Sequence, residues 1–259
     1  MHIKIVLLAV LAMAVASPIA NAEEWGNLSG TFVYGGDVPA EKLLSATKDQ
    51  EVCGKEKLVN EALLVNSTNK GIANVVGYLY LKKKETAPVH ESYAETEKTE
   101  VTLDNIACRF DPHVTAMRTT QTLVIGNQDS VGHNTKIDAA KNPAINDIVP
   151  ANGTTKKTFS EAERLPIRVS CSVHPWMTGW LLVKDNPYFA VSDTDGKFEI
   201  KNLPVGKWTF QFWHEGPGYI KEVKKGGADE TWKKGRVEFE IKAGDNDLGE
   251  IEIPASIFE

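Results

Sequence analysis

The run Cys171-Ser172-Val173-His174-Pro175-Trp176-Met177, with Val131-Gly132-His133-Asn134 upstream of it, decides how the rest of the chain is read. Cys171, His174 and Met177 are spaced three residues apart, so one tight loop can wrap a thiolate, an imidazole and a thioether around a single ion. His133 offers a second imidazole from elsewhere in the chain. A His2Cys plane with a weak axial thioether suits both oxidation states of copper, so electrons can move without a large rearrangement. The C-x-x-H-x-x-M string alone fits a buried cysteine beside a surface histidine as well. His133 and an exported all-β setting favour a metal.

Strand signals place the two groups together. Thr122-Leu-Val-Ile125 is a short apolar run that reads as a strand, and the stretch from Gly126 to Ser130 is rich in turn formers. Ile167-Arg-Val-Ser170 leads into the Cys171 loop in the same manner. Two neighbouring strand ends are therefore expected to bring both groups to one pole of a β-sandwich.

These residues resemble the cupredoxin family, and the short loop is most similar to the amicyanin type, with Asn134 after the first histidine and Pro175 after the second. The resemblance covers residues 101–185. It implies a Greek-key β-sandwich with one type 1 (blue) copper per chain and no organic cofactor. Carried onto this sequence, the ligands are His133, Cys171, His174 and a weak axial Met177. Loops of this type usually have proline two residues after the cysteine, where this chain has Val173. The Val173 N–H is free to donate to the sulfur, stabilise the thiolate and favour Cu(I). Asn134 is expected to tie the two ligand loops together. His133 is expected to be buried, and His174 to show a ring edge to solvent between Pro175 and Trp176. Trp176 reads equally as a core aromatic beneath the loop.

The chain opens with a secretory signal: Lys4, an apolar run from Ile5 to Val15, and an Ala20-Asn-Ala22 site, with cleavage expected between Ala22 and Glu23. The apolar run is too short to favour a spanning helix, and no second one follows. The mature chain is expected to be periplasmic or secreted. The net charge of −6 becomes −7 when Lys4 is lost, which argues against nucleic acid and anionic membrane as partners. Three cysteines in an oxidising compartment leave one thiol set apart. If Cys171 is a thiolate ligand, Cys53 and Cys108 remain as a natural disulfide pair; two unpaired buried thiols are the other reading.

Residues 27–34 and 74–81 read as strands, with a polar, irregular stretch at 37–69 between them that has room for one short helix. Residues 83–100 read as a charged, solvated linker. Beyond Pro187, Asp193-Thr-Asp-Gly196 is flanked by strand-like runs and reads as a hairpin, and Leu203-Pro-Val-Gly206 as a second turn. Residues 236–242 and 248–253, joined by Ala243-Gly-Asp245, read as a closing hairpin. The run Ser192-Asp-Thr-Asp-Gly196-Lys-Phe-Glu-Ile200-Lys-Asn-Leu-Pro-Val-Gly206 resembles the carboxypeptidase regulatory-like, or transthyretin-like (Ig-like), β-sandwich. Gly30-Thr-Phe-Val33 and residues 74–81 look like the strands that usually precede it. The expected fold is thus all-β. A cupredoxin sandwich at 101–185 is inserted in a transthyretin-like sandwich made of 23–82 and 186–259. Two consecutive domains split near Pro187 are the simpler alternative.

The expected function is one-electron transfer between redox proteins. The amicyanin resemblance implies a dehydrogenase donor and a cytochrome c acceptor. A copper oxidase or nitrite reductase needs a second copper and several more histidines. Only His90, His113 and His214 remain after cleavage, so an enzyme is not expected. His113 and His214 are the candidates for any second metal site. A non-enzymatic copper store and a structural surface module are the remaining alternatives.

Overall fold

The computed structural model describes residues 24–258, so the signal segment expected at 1–22 lies outside it. Strands β1 (Trp25–Gly35) and β2 (Val76–Leu79) come first. A middle group runs β3 (Glu100–Ile106), β4 (Arg109–Asp111), β5 (Val114–Arg118), β6 (Thr122–Asn127), β7 (His133–Ile137), β8 (Ile145–Val149), β9 (Thr154–Thr158), β10 (Ile167–Ser170) and β11 (Thr178–Lys184). The last group is β12 (Phe189–Val191), β13 (Lys197–Pro204), β14 (Gly206–His214), β15 (Gly218–Tyr219), β16 (Glu222–Lys225), β17 (Ala228–Thr231), β18 (Arg236–Ile241) and β19 (Gly244–Pro254). Among the described residues the helices are short 3-10 turns, and the protein is all-β.

Alternation builds the cores. In β1 every second residue is buried, which turns Leu28, Phe32 and Tyr34 to one face. That face belongs to the sheet β13-β1-β19-β16-β17, which packs on β12-β2-β14-β15, with β18 added to β14. Phe32, Phe198, Phe210, Phe212 and Ile251 lie in the core between them. A second sandwich packs β5-β11-β10-β7-β8 on β4-β3-β6-β9, around Leu103, Phe110, Met117, Leu123 and Val169. Pairing joins the two ends of the chain. β1 pairs with β13 (Ser29 opposite Glu199) and with β19 (Phe32 opposite Ile251), while β2 pairs with β14 (Leu79 opposite Phe210). The middle group lies in sequence between strands that pair with one another, β1 and β2 before it and β13, β14 and β19 after it.

Two expected strand pairings come out differently. Residues 189–191 and 197–200 do not pair as a hairpin: β12 joins β2, and β13 joins β1 in the facing sheet. The turn itself forms, with Gly196 N–H donating to Asp193 O at 3.0 Å. Ser192 pins the end of β12, donating to Ile72 O and accepting from Val75 N–H. The turn at 203–206 likewise carries the chain from β13 to β14 in the other sheet, and residues 236–242 and 248–253 pair with β14 and β1 instead of with each other. These turns are corners between packed sheets. The segment 83–100 is largely exposed but not free, since Tyr188 Oη donates to Pro88 O and Tyr93 Oη to Lys201 O.

A third cluster joins the sandwiches. Val76, Tyr78 and Trp213 pack on Val114 and Leu182, with the Trp180 and Trp213 rings 4.7 Å apart. His113 ties three chain segments at once. Its Nε2 lies 2.9 Å from Glu215 Oε1 and its Nδ1 3.6 Å from Glu61 Oε2, and Trp180 Nε1 donates to Glu215. Burial favours neutral His113, but the two carboxylates outweigh it and push the pKa up to about 9. A raised folded pKa contributes stability below the unfolded value near 6.5, and that contribution is lost as pH rises through about 9. His113→Gln should therefore cost about 3 kcal/mol at pH 6 and much less near pH 10. Thermal melts of both proteins across that range test it, and a pH-independent difference would sink the idea. His214 is buried with its Nε2 unpartnered, and burial drives its pKa down to about 4. Among the described residues, His113 and His214 do not gather with a third donor into a cluster able to hold a metal.

Candidate metal centre

His133, Cys171 and His174 converge. One ligand atom from each lies within 4.8 Å of the others, and all three residues are buried. The strand that brings His133 there is β7, which it opens, and not the run at 122–125, which belongs to the facing sheet. β7 pairs with β10 (Lys136 opposite Ser170), and Cys171 follows directly. β10 pairs in turn with β11 (Ser170 opposite Thr178), so residues 171–177 form the loop closing a hairpin. Backbone bonds tighten that loop: Cys171 N–H donates to Met177 O at 3.2 Å, and Met177 N–H to His174 O at 2.9 Å. Met177 is buried in the same cluster as Cys171.

Asn134 ties the ligand groups together. Its Oδ1 accepts from Ser172 N–H at 3.0 Å, and its Nδ2 donates to Asn146 Oδ1 at 2.8 Å. The Cys171 sulfur accepts from Asn134 N–H at 3.3 Å and from His174 N–H at 3.4 Å. Burial alone would push the Cys171 thiol up, yet the His133 ring and these N–H groups hold it below its ordinary range. The Val173 N–H adds the smallest contribution in that direction.

Two carboxylates that the sequence reading passed over orient the rings. Asp129 Oδ2 accepts from His133 Nε2 at 2.7 Å, and Asp49 Oδ2 accepts from His174 Nε2 at 2.7 Å. The His133 Nδ1 is left buried with no hydrogen-bond partner. The His174 Nδ1 lies 3.7 Å from the Cys171 sulfur. Burial keeps His174 below its usual pKa, so the ring is neutral at pH 7 and Nδ1 carries a lone pair. Burial also acts to lower His133, but Asp129 and Cys171 raise it to about 9. Metal binding would displace any proton held by Cys171 and His133, because the donors must be deprotonated. A buried imidazole nitrogen without a hydrogen-bond partner, a thiol held below its ordinary range and a second imidazole nitrogen facing that sulfur suit a soft metal ion. The related grouping of Cys108, Asp129 and His133 has no free thiolate, because Cys108 is bonded to Cys53.

The expected open edge of His174 is not there. The residue is fully buried, because the polar segment at 37–69 folds over the pole and sets Asp49 on Nε2. The Cys53–Cys108 disulfide holds that segment down, with a Cα–Cα distance of 5.5 Å. Trp176 is half-buried between the two expectations: its ring lies 5.1 Å from that of His174, and its Nε1 donates to Cys108 O at 3.0 Å. Asp129 had a local signal, four residues before His133 in a turn. Asp49 had none, at 125 residues from its partner.

No protein-family description matches the chain, nor does any curated protein. Solved structures similar to part of it include a copper-containing nitrite reductase from Thermus scotoductus, at 20% identity and TM-score 0.30, over 32% of this chain and 22% of that one. An amicyanin variant in the Cu(I) form is similar at 18% identity and TM-score 0.30, over 33% of this chain and 82% of that one. A purple cupredoxin from Nitrosopumilus maritimus is similar at 22% identity and TM-score 0.28, over 34% of this chain and all of that one. This chain therefore spans about a fifth of the nitrite reductase. These likenesses are partial, and the functional reading rests on the centre itself.

Proposed function

We propose that the protein is an exported, non-enzymatic electron carrier with one type 1 copper, held by His133, Cys171 and His174 with Met177 as weak axial ligand. The observation that carries this reading is the convergence of a thiolate and two imidazoles on one buried point, with the His133 Nδ1 unpartnered. A buried thioether beside that set favours copper over zinc, whose structural sites take four N, S or O donors and no thioether. Residues 101–185 then act as a cupredoxin unit inserted in a transthyretin-like sandwich made of 23–82 and 186–259. Dehydrogenase donors and cytochrome c acceptors are the partners that suit it, and the periplasm or exterior the compartment, after cleavage between Ala22 and Glu23. No helix among the described residues is long and apolar enough to cross a membrane. The test is titration with Cu(II), followed by visible and EPR spectra. One copper per chain with intense charge-transfer absorption supports the reading, and a colourless protein at full loading refutes it.

The complete burial of His174 favours a second reading, a copper store. Rapid copper loss to a chelator with negligible electron exchange would select it.

Val173→Pro should lower the reduction potential only slightly. It deletes the weakest of the N–H contributions to the sulfur, while Asn134 and His174 keep theirs. A fall of at most about 30 mV is expected, half of the 59 mV per tenfold for one electron. Protein-film voltammetry measures it, and an unchanged or raised potential would show that this N–H plays no part.

A further inference from the structure

The polar segment at 37–69 gives the centre something its ligand loops do not contain. Asp49 sits there in the left-handed region, at φ 46°, a conformation that aspartate tolerates better than most residues. Val52 N–H and Cys53 N–H both donate to Asp49 O, at 2.9 and 2.8 Å, so the backbone under the carboxylate is fixed next to the disulfide. On the other side of the same disulfide, Cys108 N–H donates to Asp129 Oδ2 at 2.9 Å, and Ala107 N–H to Asp129 Oδ1 at 2.8 Å. Asp129 Oδ2 meets His133 and Asp49 Oδ2 meets His174. One covalent bridge thus joins the two backbone stretches that position both imidazoles. The Asp49 side chain is 42% exposed, while the imidazole beneath it is fully buried, so the carboxylate is the outermost layer over that ring.

We infer that Asp49 is a positioning residue for the proposed copper centre. It fixes His174 as the Nε2–H tautomer with Nδ1 turned inward, places a negative charge against the ligand ring, and closes the ring edge to solvent; the Cys53–Cys108 disulfide keeps it in place. This rests on reading the pole as a copper site. A carboxylate hydrogen-bonded to a ligand imidazole makes that ligand more basic and so favours Cu(II) over Cu(I). An electron partner at this pole would meet the surface around Asp49 and not a bare imidazole.

Three variants test the inference. Asp49→Asn keeps the left-handed backbone and a carbonyl acceptor but removes the charge. It should retain one copper and the blue absorption while shifting the Cu(I)/Cu(II) ratio about tenfold toward Cu(I) at fixed ambient potential, equal to 59 mV. Asp49→Ala should uncover the ring. NMR of the metal-free protein should show the His174 Nε2–H exchanging with solvent at least about tenfold faster than in the parent. The paired replacement of Cys53 and Cys108 by serine should produce the same acceleration with Asp49 still present. An unshifted ratio in Asp49→Asn, or a His174 Nε2–H equally slow in Asp49→Ala, would overturn the inference. A parent protein that takes up no copper would instead defeat the reading of the centre, while the metal-free NMR comparison would still score the hold of Asp49 on His174.

Discussion

Cys171→Ser should abolish the intense colour of the Cu(II)-loaded protein and leave its fold intact. The colour of such a centre comes from charge transfer out of a thiolate, and a serine hydroxyl is neutral at pH 7 and a poor match for a soft metal ion. The loss should be all-or-none, because the remaining donors are two imidazoles and a thioether. The fold should survive for a separate reason. Serine is close to cysteine in size, and its oxygen can still accept from Asn134 N–H and His174 N–H, so neither buried donor is orphaned. Far-UV circular dichroism and the thermal midpoint of the metal-free variant should stay near the parent values. A variant as blue as the parent would remove Cys171 from the centre, and a collapsed fold would show that the Cys171 side chain is needed for folding.

The loop from Cys171 to Met177 was legible because its pattern is local. Three donors at three-residue spacing, flanked by apolar runs, already describe a strand–loop–strand unit, and β10 and β11 form on either side of it. The burial of His133 and the bridging role of Asn134 also followed from neighbours in sequence. The corners were misread for a physical reason. Asp193 to Gly196 makes the same tight turn whether its flanking strands pair with each other or separate into two facing sheets. The turn fixes reversal of direction, while the choice of sheet depends on which distant strand covers each backbone edge. Only the alternating burial of β1 and β13 against the same core reveals that choice. The Gly226-Gly227 hairpin between β16 and β17 carried a local signal that was passed over: both φ values are positive, at 57° and 82°, as a two-residue turn of the right twist needs.

The cover over His174 was not legible at all. Residues 37–69 carry no sustained period of either kind, and their placement comes from the disulfide, from scattered apolar contacts such as Leu63 and Val65 on the larger core, and from polar contacts to distant residues. Leu44 N–H donates to Leu58 O, Arg109 pairs with Glu61, and Cys53, Leu58 and Cys108 share a small buried cluster with Trp176. The cysteine count anticipated the bridge, but nothing in the sequence said that the bridge lies against the centre.

That bridge leads to the second large effect. Replacing Cys53 and Cys108 together by alanine should lower the unfolding free energy by about 4 kcal/mol in the chain-entropy account of a loop of this length. The two half-cystines are 55 residues apart and fully buried. The closed loop contains β2 from one sandwich and β3 from the other, so its constraint on the unfolded chain is felt by both. Denaturant midpoints should fall accordingly. The loss should also have a place in the folded state. Without the bridge, residues 42–58 depend on the packing of Leu44, Val52 and Leu58 beside Trp176 and on the Asp49 contact to His174, whereas residues 60–69 stay tied by Glu61 to Arg109 and His113, by Leu63 and Val65 on the larger core, and by Asn66 and Asn69 to Asp195. Hydrogen exchange should therefore quicken most at Leu44, Val52 and Cys53, whose N–H groups are bonded within the segment. Amides of β1 and β19, paired from Gly26 opposite Gly244 to Gly35 opposite Pro254 with one register shift, should keep their protection under native conditions. Uniform loss across β1 and the segment alike would mean that the segment has no independent opening, and a midpoint shift worth less than about 1 kcal/mol would mean that the unfolded chain is already held compact without the bridge.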